Sequence, residues 1–278
     1  MTHVISIQSQ VVHGHVGNNA AVYPMQASGL DVAAVPTALL SNHPHYPSIY
    51  GQTLEASLVA DLLRGVEDRG LVDKAAVIVT GWLGSVANAE TVAGFIERAR
   101  KRNPDLTIIC DPVMGDDDLG VFVDPDLVAQ FRDRLVPLAD IITPNQFELE
   151  LLSDRPARNI AALMAALSAI RGPDQMAAVT GCTLEDTPAG QLETLAFAKG
   201  RLSRTAAPRI PIRPCGTGDL FTALLVAGIC AGDELPTASA AATQTILDVL
   251  RRTQAEGADE MRIIGFPFHS VPLGTKGT

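Results

Sequence analysis

The residues best suited to chemistry lie in one short run, Cys215-Gly216-Thr217-Gly218-Asp219. Two glycines around Thr217 let the backbone turn tightly, and the apolar stretch Leu220 to Val226 then continues as a buried helix. The first amides of such a helix point at one spot, an arrangement that holds anions. A carboxylate placed there, Asp219, can take the proton of a hydroxyl that attacks phosphorus. The same carboxylate can also serve only as a helix cap, because acidic residues are favoured in a first turn.

Three further segments carry unusual polar residues directly after short apolar runs. They are Asp111-Pro112-Val113-Met114-Gly115-Asp116, Thr143-Pro144-Asn145-Gln146-Phe147-Glu148 and Thr180-Gly181. Acidic residues that converge on one place need a cation to coexist, and a Mg2+-nucleotide supplies one. Taken singly, Asp111 and Asp116 also read as turn formers and Glu148 as a first-turn helix residue. The absent motifs discriminate as well. There is no G-x-x-x-x-G-K-[ST] loop, the four lysines stand at 74, 101, 199 and 276, no G-x-G-x-x-G follows the first strand, and G-x-S-x-G does not occur.

Elements that position these residues are readable from the apolar pattern. Runs rich in Val and Ile at 75–80, 106–110, 139–143 and 176–180 start 31, 33 and 37 residues apart. That spacing holds one strand, a crossover helix and two loops. Continuous rather than alternating apolar character predicts strands covered on both faces, hence a parallel sheet between helix layers. Residues 3–8 predict another such strand, and 31–40 one or two more. Over 54–69 the spacing predicts a helix whose stripe is Leu54, Leu58, Leu62, Leu63 and Val66, with Thr53 as its cap and Gly70 at its end. The segment 181–215 reads as a mobile or hairpin-like excursion. In open parallel sheets ligands bind at the carboxyl edge, which is where the polar segments fall.

The composition narrows the class. A chain of 278 residues with 47% hydrophobic content supports a large aliphatic core. A net charge of −10, with no basic run longer than Arg98 to Arg102, argues against a nucleic-acid partner. The first residues do not form a secretory signal and no apolar run approaches a membrane span, so a cytoplasmic location is expected. Cys110, Cys182, Cys215 and Cys230 are scattered without a C-x-x-C pair and read as reduced, mostly buried thiols.

The motifs together resemble the ribokinase superfamily, and within it the pyridoxal kinase branch. The resemblance runs from about residue 3 to about residue 255. It rests on Ile5-Ser6-Ile7-Gln8-Ser9, Gly14-His15-Val16-Gly17-Asn18, Ser41-Asn42-His43, Gly81-Trp82-Leu83-Gly84-Ser85, the two segments at 111–116 and 143–148, and Gly216-Thr217-Gly218-Asp219. It implies a single α/β domain over 1–278, a three-layer α/β/α sandwich with a central, mostly parallel sheet, and a homodimer. The implied reaction moves the γ-phosphate of ATP to the 5′-hydroxyl of pyridoxal, pyridoxine or pyridoxamine.

By that resemblance Asp219 is the catalytic base, and the amides of Gly216, Thr217 and Gly218 form the anion hole, where one donor is worth about 3 kcal/mol. Ser9, Val16, His43 and Trp82 would surround the vitamer together with Asp219. Asp111, Asn145, Glu148 and Thr180 would contact ATP. Asp116 and Glu148 would organise Mg2+, and Asp111, Thr143 and Thr180 a monovalent cation, expected to be K+. The segment 183–214 would cover the site and exclude water. The chain departs from the branch at Pro44, where a Thr is usual and a polar contact to the ring is lost, and at Trp82, where a Tyr is usual and an indole can still stack. A hydroxymethylpyrimidine or sugar kinase of the same superfamily, and a non-catalytic vitamer- or nucleotide-binding protein, are the alternative readings.

Overall fold

The computed structural model describes residues 1–268. Lys276 and the end of the expected 1–278 domain lie outside the described residues. Among the described residues, nine strands form one sheet. They are β1 (His3–Val11), β2 (Asp31–Leu40), β3 (Gly51–Thr53), β4 (Ala75–Thr80), β5 (Thr107–Cys110), β8 (Ile141–Ile142), β9 (Met176–Cys182), β10 (Gln191–Ala198) and β11 (Arg201–Pro208). A small separate hairpin, β6 (Gly115–Asp116) and β7 (Gly120–Val121), follows β5. The sheet order is β11-β10-β9-β8-β5-β4-β1-β2-β3. Pairing is parallel from β2 across to β9 and antiparallel for β3, β10 and β11.

Helices cover both faces, which makes the expected three layers. The helices are α1 (Asn18–Ala27), α2 (Ala56–Asp68), α3 (Val86–Arg102), α4 (Pro125–Gln130), α5 (Val136–Leu138), α6 (Gln146–Ser153), α7 (Ile160–Ile170), α8 (Thr217–Ala231) and α9 (Leu235–Ala255), with a wider π turn at Phe131–Leu135. On one face Ile5, Ile7 and Ile78 pack with Val59, Leu63 and Phe95. On the other face Val4, Val77 and Val79 pack with Met25, Phe221 and Leu225. Adjacent strand residues thus enter different cores, which is why these strands are apolar without alternation. No described helix is long and apolar enough to cross a membrane.

The structure refines these expectations in detail. Residues 31–40 are a single strand, within the one or two expected, and the 139–143 run shortens to Ile141 and Ile142. Helix α2 begins after Glu55, because Thr53 is committed to β3 and pairs with Ala38. Its buried stripe is Val59, Leu63 and Val66, whereas Leu58 and Leu62 face outward at 46% and 37% exposure. The later start, fixed by the β2–β3 pairing, sets which side of the helix meets the sheet. Most of 183–214 is not loop: residues 191–208 form the β10–β11 hairpin, extending the sheet, and Leu195 and Ala196 are buried. Residues 209–216 alone remain as the approach to α8.

Cys110 and Cys182 are buried, but Cys215 and Cys230 are half-buried, and all four are free thiols.

Candidate active site at the carboxyl edge of the sheet

The order of the sheet reverses at β1, which lies between β2 and β4. Loops that leave the carboxyl ends of the strands on either side of such a reversal form a crevice. The Asp219 carboxylate is delivered there by α8. Gly216 caps that helix with φ 83°, in the left-handed region, and a Cβ at this position would collide with the carbonyl oxygen of His15. Glycine is therefore required twice, once by the backbone angle and once by the close approach of the 12–17 loop. The first-turn amides of α8 have no partner within the helix, and Thr217, Gly218 and Asp219 supply them.

The same loop meets the helix from the other side. The amide of Gly17 donates to Asp219 Oδ2 at 2.8 Å. Gly17 also packs on Ser9, since a Cβ there would overlap Ser9 Oγ and its carbonyl oxygen. Burial pushes the Asp219 carboxyl up to about 6, and the Gly17 amide holds it from rising further. Such a carboxylate is ionised at neutral pH yet remains a competent proton acceptor.

Two more acids lie within electrostatic reach. Glu148 belongs to a capping box at the start of α6: the Asn145 side chain accepts from the Glu148 amide, and Glu148 Oε2 accepts from the Asn145 amide at 2.8 Å. Its Oε1 accepts from the Met114 amide at 2.9 Å, which ties α6 to the segment after β5. Burial pushes Glu148 up to about 8, against those amides and with help from Asp219. Asp111 rises well above the ordinary carboxylate range for the same first reason, burial, followed by the charges of Glu148 and Asp219. Its one compensating bond comes from Thr222, whose hydroxyl donates to Asp111 Oδ2 at 2.8 Å and meets Thr143 Oγ1 at 2.9 Å. No Lys or Arg among the described residues contributes to holding these three acids ionised.

The remaining residues expected at the site are placed as follows. Asp116 is half-buried in β6, and its Oδ1 accepts from the amides of Asp118 and Leu119, so it shapes the hairpin turn. Asn145 donates to the Gly115 carbonyl at 2.8 Å, and bridges in parallel register to Thr180. Thr180 is half-buried at the carboxyl end of the parallel part of β9. Ser9 is buried in β1, Val16 half-buried in the loop that follows, and Trp82 half-buried beyond β4, its carbonyl accepting from Thr37 Oγ1 at 2.7 Å.

His43 is buried and its Nε2 lies 2.7 Å from Glu260 Oε1. Glu260 also accepts from the Tyr46 hydroxyl at 2.8 Å and from the His15 amide at 3.0 Å. Burial works against the Glu260 charge, but the bonds from Tyr46, His43 and His15 prevail and hold its carboxyl below the ordinary range. A cavity of about 480 Å3 opens here, lined among others by His43, Tyr46, Arg213, Cys215 and Glu260. Trp82 and Ser9 do not line it, and Pro44 is exposed outside its wall. Arg213 forms an ion pair with Asp118 of the β6–β7 turn. The 209–216 segment and that hairpin therefore meet, which narrows the covering role expected of 183–214 to a few residues before α8.

Glu260, Tyr46 and Thr222 belong to this site and carry no motif, whereas Gly17 stands within the Gly14–Asn18 segment with no sign there that its amide meets Asp219. Thr222 alone had a signal, since it stands three residues after Asp219 and shares its helix face.

Comparison with known proteins agrees with this geometry. The family model described as phosphomethylpyrimidine kinase matches residues 19–262. A pyridoxal kinase of Rubrobacter xylanophilus is 35% identical over 263 residues, covering 94% of this chain and 91% of that protein. A pyridoxine/pyridoxal/pyridoxamine kinase of Bordetella avium is 38% identical over 259 residues, covering 93% and 88%. The solved structure of the Leishmania donovani pyridoxal kinase in complex with ADP and pyridoxine superposes with a TM-score of 0.86 at 30% identity, covering 95% of this chain and 94% of that one.

Proposed function

The chain belongs to the phosphomethylpyrimidine kinase family, and on that premise we propose that it is an ATP-dependent kinase of the 5′-hydroxyl of pyridoxal, with pyridoxine and pyridoxamine as further acceptors. The observation that carries this reading is the Asp219 carboxylate, raised to about 6 in the first turn of a helix whose amides are free to hold phosphoryl oxygens. Pyridoxal and its kin are the acceptors named for the relatives that match most of this chain.

In the reaction Asp219 takes the proton from the substrate hydroxyl as the new O–P bond forms and the bond between the γ-phosphorus and ADP breaks. The amides of Gly216, Thr217 and Gly218 hold the charge that gathers on the transferring group. The Gly17 amide orients Asp219 from the side away from its own helix. His43, fixed by Glu260, stands where it can meet the ring substituents, while Ser9, Val16 and Trp82, which do not line the cavity beside His43, would complete the vitamer site from the side of β1 and β4. Asp111, Asn145, Glu148 and Thr180 face the nucleotide, and Arg213 with its neighbours covers the reaction from water.

The buried acids Asp111 and Glu148, raised in pKa and lacking a basic partner among the described residues, fit a bound cation. Glu148 and Asp116 would hold Mg2+, directly or through water, and Asp111, Thr143 and Thr180 a monovalent ion, K+. Bound there, the metal neutralises charge on the ATP phosphates. The reading includes a homodimer in the cytoplasm. Val12, Leu39, Ile49 and Tyr50 stand exposed around the β2–β3 edge and support pairing there, and the four free thiols support a reducing compartment.

The test is a steady-state comparison of pyridoxal, pyridoxine, pyridoxamine and hydroxymethylpyrimidine with Mg-ATP. ADP should appear only when an acceptor is added, with pyridoxal among the good ones. Preference for hydroxymethylpyrimidine over every vitamer would replace the pyridoxal assignment.

A further inference from the structure

The loop after β2 contains two imidazoles separated by one proline, His43-Pro44-His45, and it faces the segment that leads into α8. There Cys215 Sγ lies 3.1 Å from His45 Nδ1. One donor atom from each of His43, His45 and Cys215 falls within 4.8 Å of the other two. Two imidazole nitrogens and one sulfur at such separations match the donor types and the size of a tetrahedral zinc site with one open position.

The surroundings supply what a loose cluster lacks. His43 Nε2 is engaged by Glu260 Oε1 at 2.7 Å, which leaves Nδ1 as the nitrogen for a metal, in place of the long 3.4 Å contact that it accepts from the His45 amide. A carboxylate behind a histidine is the usual support of a metal ligand, because it fixes the ring and raises its basicity. Glu260 is itself held by Tyr46 and the His15 amide. Proline between the two histidines fixes one backbone angle of the loop, so the pair loses less freedom on binding. The donors also come from separate parts of the chain, and all three residues line the cavity of about 480 Å3.

We propose that His43, His45 and Cys215 form a Zn2+ site at the mouth of this cavity and that its occupancy shuts out the acceptor substrate. The second half rests on the pyridoxal kinase reading, in which His43 meets the vitamer ring; the first half does not. A zinc ion would recruit His43 away from the ring and tie the β2 loop to the start of α8, across the way in.

Cobalt makes the first half visible. Co2+ titrated into the full-length, metal-free enzyme without nucleotide should bind one to one, with visible bands of tetrahedral cobalt and a near-ultraviolet thiolate-to-cobalt band, and Zn2+ should displace it. Cys215→Ala should abolish the thiolate band. His45→Ala, at an exposed position where folding is not at stake, should weaken Co2+ binding by about tenfold or more. Absence of the thiolate band, or its survival in Cys215→Ala, would refute the site. For the second half, buffered Zn2+ should raise KM for pyridoxal in the wild-type enzyme and not in His45→Ala. An unchanged KM at zinc saturation would refute the closure, and an enzyme that phosphorylates no vitamer even without zinc would refute the kinase reading while the cobalt spectrum still decides the site.

Discussion

Glu260 and Glu148 are both carboxylates withdrawn from bulk water, yet their protons are held in opposite senses. Glu260 accepts from a tyrosine hydroxyl, an imidazole and an amide, so its charge is matched inside the protein and its pKa falls. Glu148 accepts two amides at 2.8 and 2.9 Å, but is more deeply buried and faces Asp219, and its pKa climbs to about 8. Burial sets the sign unless enough donors, or a neighbouring cation, oppose it. One region is complete as it stands and serves as framework. The other, with Asp111 and Asp219, is left short of positive charge and gains it only from what binds.

The sharpest way to break this contrast is Asp219→Asn. The amide keeps the shape and can still meet the Gly17 N–H through its oxygen, but it cannot take a proton. kcat should fall by at least about 10²-fold with nucleotide binding retained. Near-normal kcat would remove Asp219 from the mechanism.

Glu148→Gln comes next, because it removes a charge that a cation answers. The Mg2+ concentration for half-maximal activity should rise by about tenfold or more. The same variant has a pH signature. A folded-state pKa of about 8 against an ordinary 4.5 means that the folded protein binds this proton more tightly, so the stabilisation is present below pH 4.5 and is lost as pH rises through 8. The Tm of the metal-free wild type should decline over that window, and the decline should be shallower in Glu148→Gln. An unchanged Mg2+ titration with parallel pH curves would make Glu148 a capping residue and nothing more.

Glu260→Gln sharpens the comparison from the other side. Its loss should cost about 1–3 kcal/mol of stability in urea denaturation, since charged hydrogen bonds are replaced and one donor then faces the His15 amide. kcat should change little. A large fall in kcat with unaltered stability would place Glu260 among the reacting groups. The smallest effect belongs to Pro44→Thr. Because Pro44 is exposed outside the cavity, the substitution should shift pyridoxal affinity by no more than about twofold; tightening of tenfold would mean that residue 44 reaches the ring after all.

Much of this was legible because the fold writes itself into composition. Val4, Ile5 and Ile7 are apolar in succession since each face of β1 has its own core. Asp219, Glu148 and Asp111 were found through their positions after strands and before helices. What escaped depends on contacts between distant segments. The outward turn of Leu58 and Leu62 follows from where β3 ends, which no helical period records. Glu260 reaches His43 across 217 positions of sequence, and only the folded chain makes a site of them. The β10–β11 hairpin was legible only as a mobile or hairpin-like excursion because one strand, Arg201–Pro208, is polar and half-exposed at the sheet edge.

The central claim, that Asp219 must be ionised to start the transfer, is tested most directly by the pH dependence of kcat/KM, which reports the groups of the free enzyme. With its carboxyl raised to about 6, kcat/KM should fall on the acid side with an apparent pKa near 6, approaching a tenfold loss per pH unit below it. A kcat/KM that stays level from pH 8 to pH 5 in an enzyme that remains folded would contradict the account.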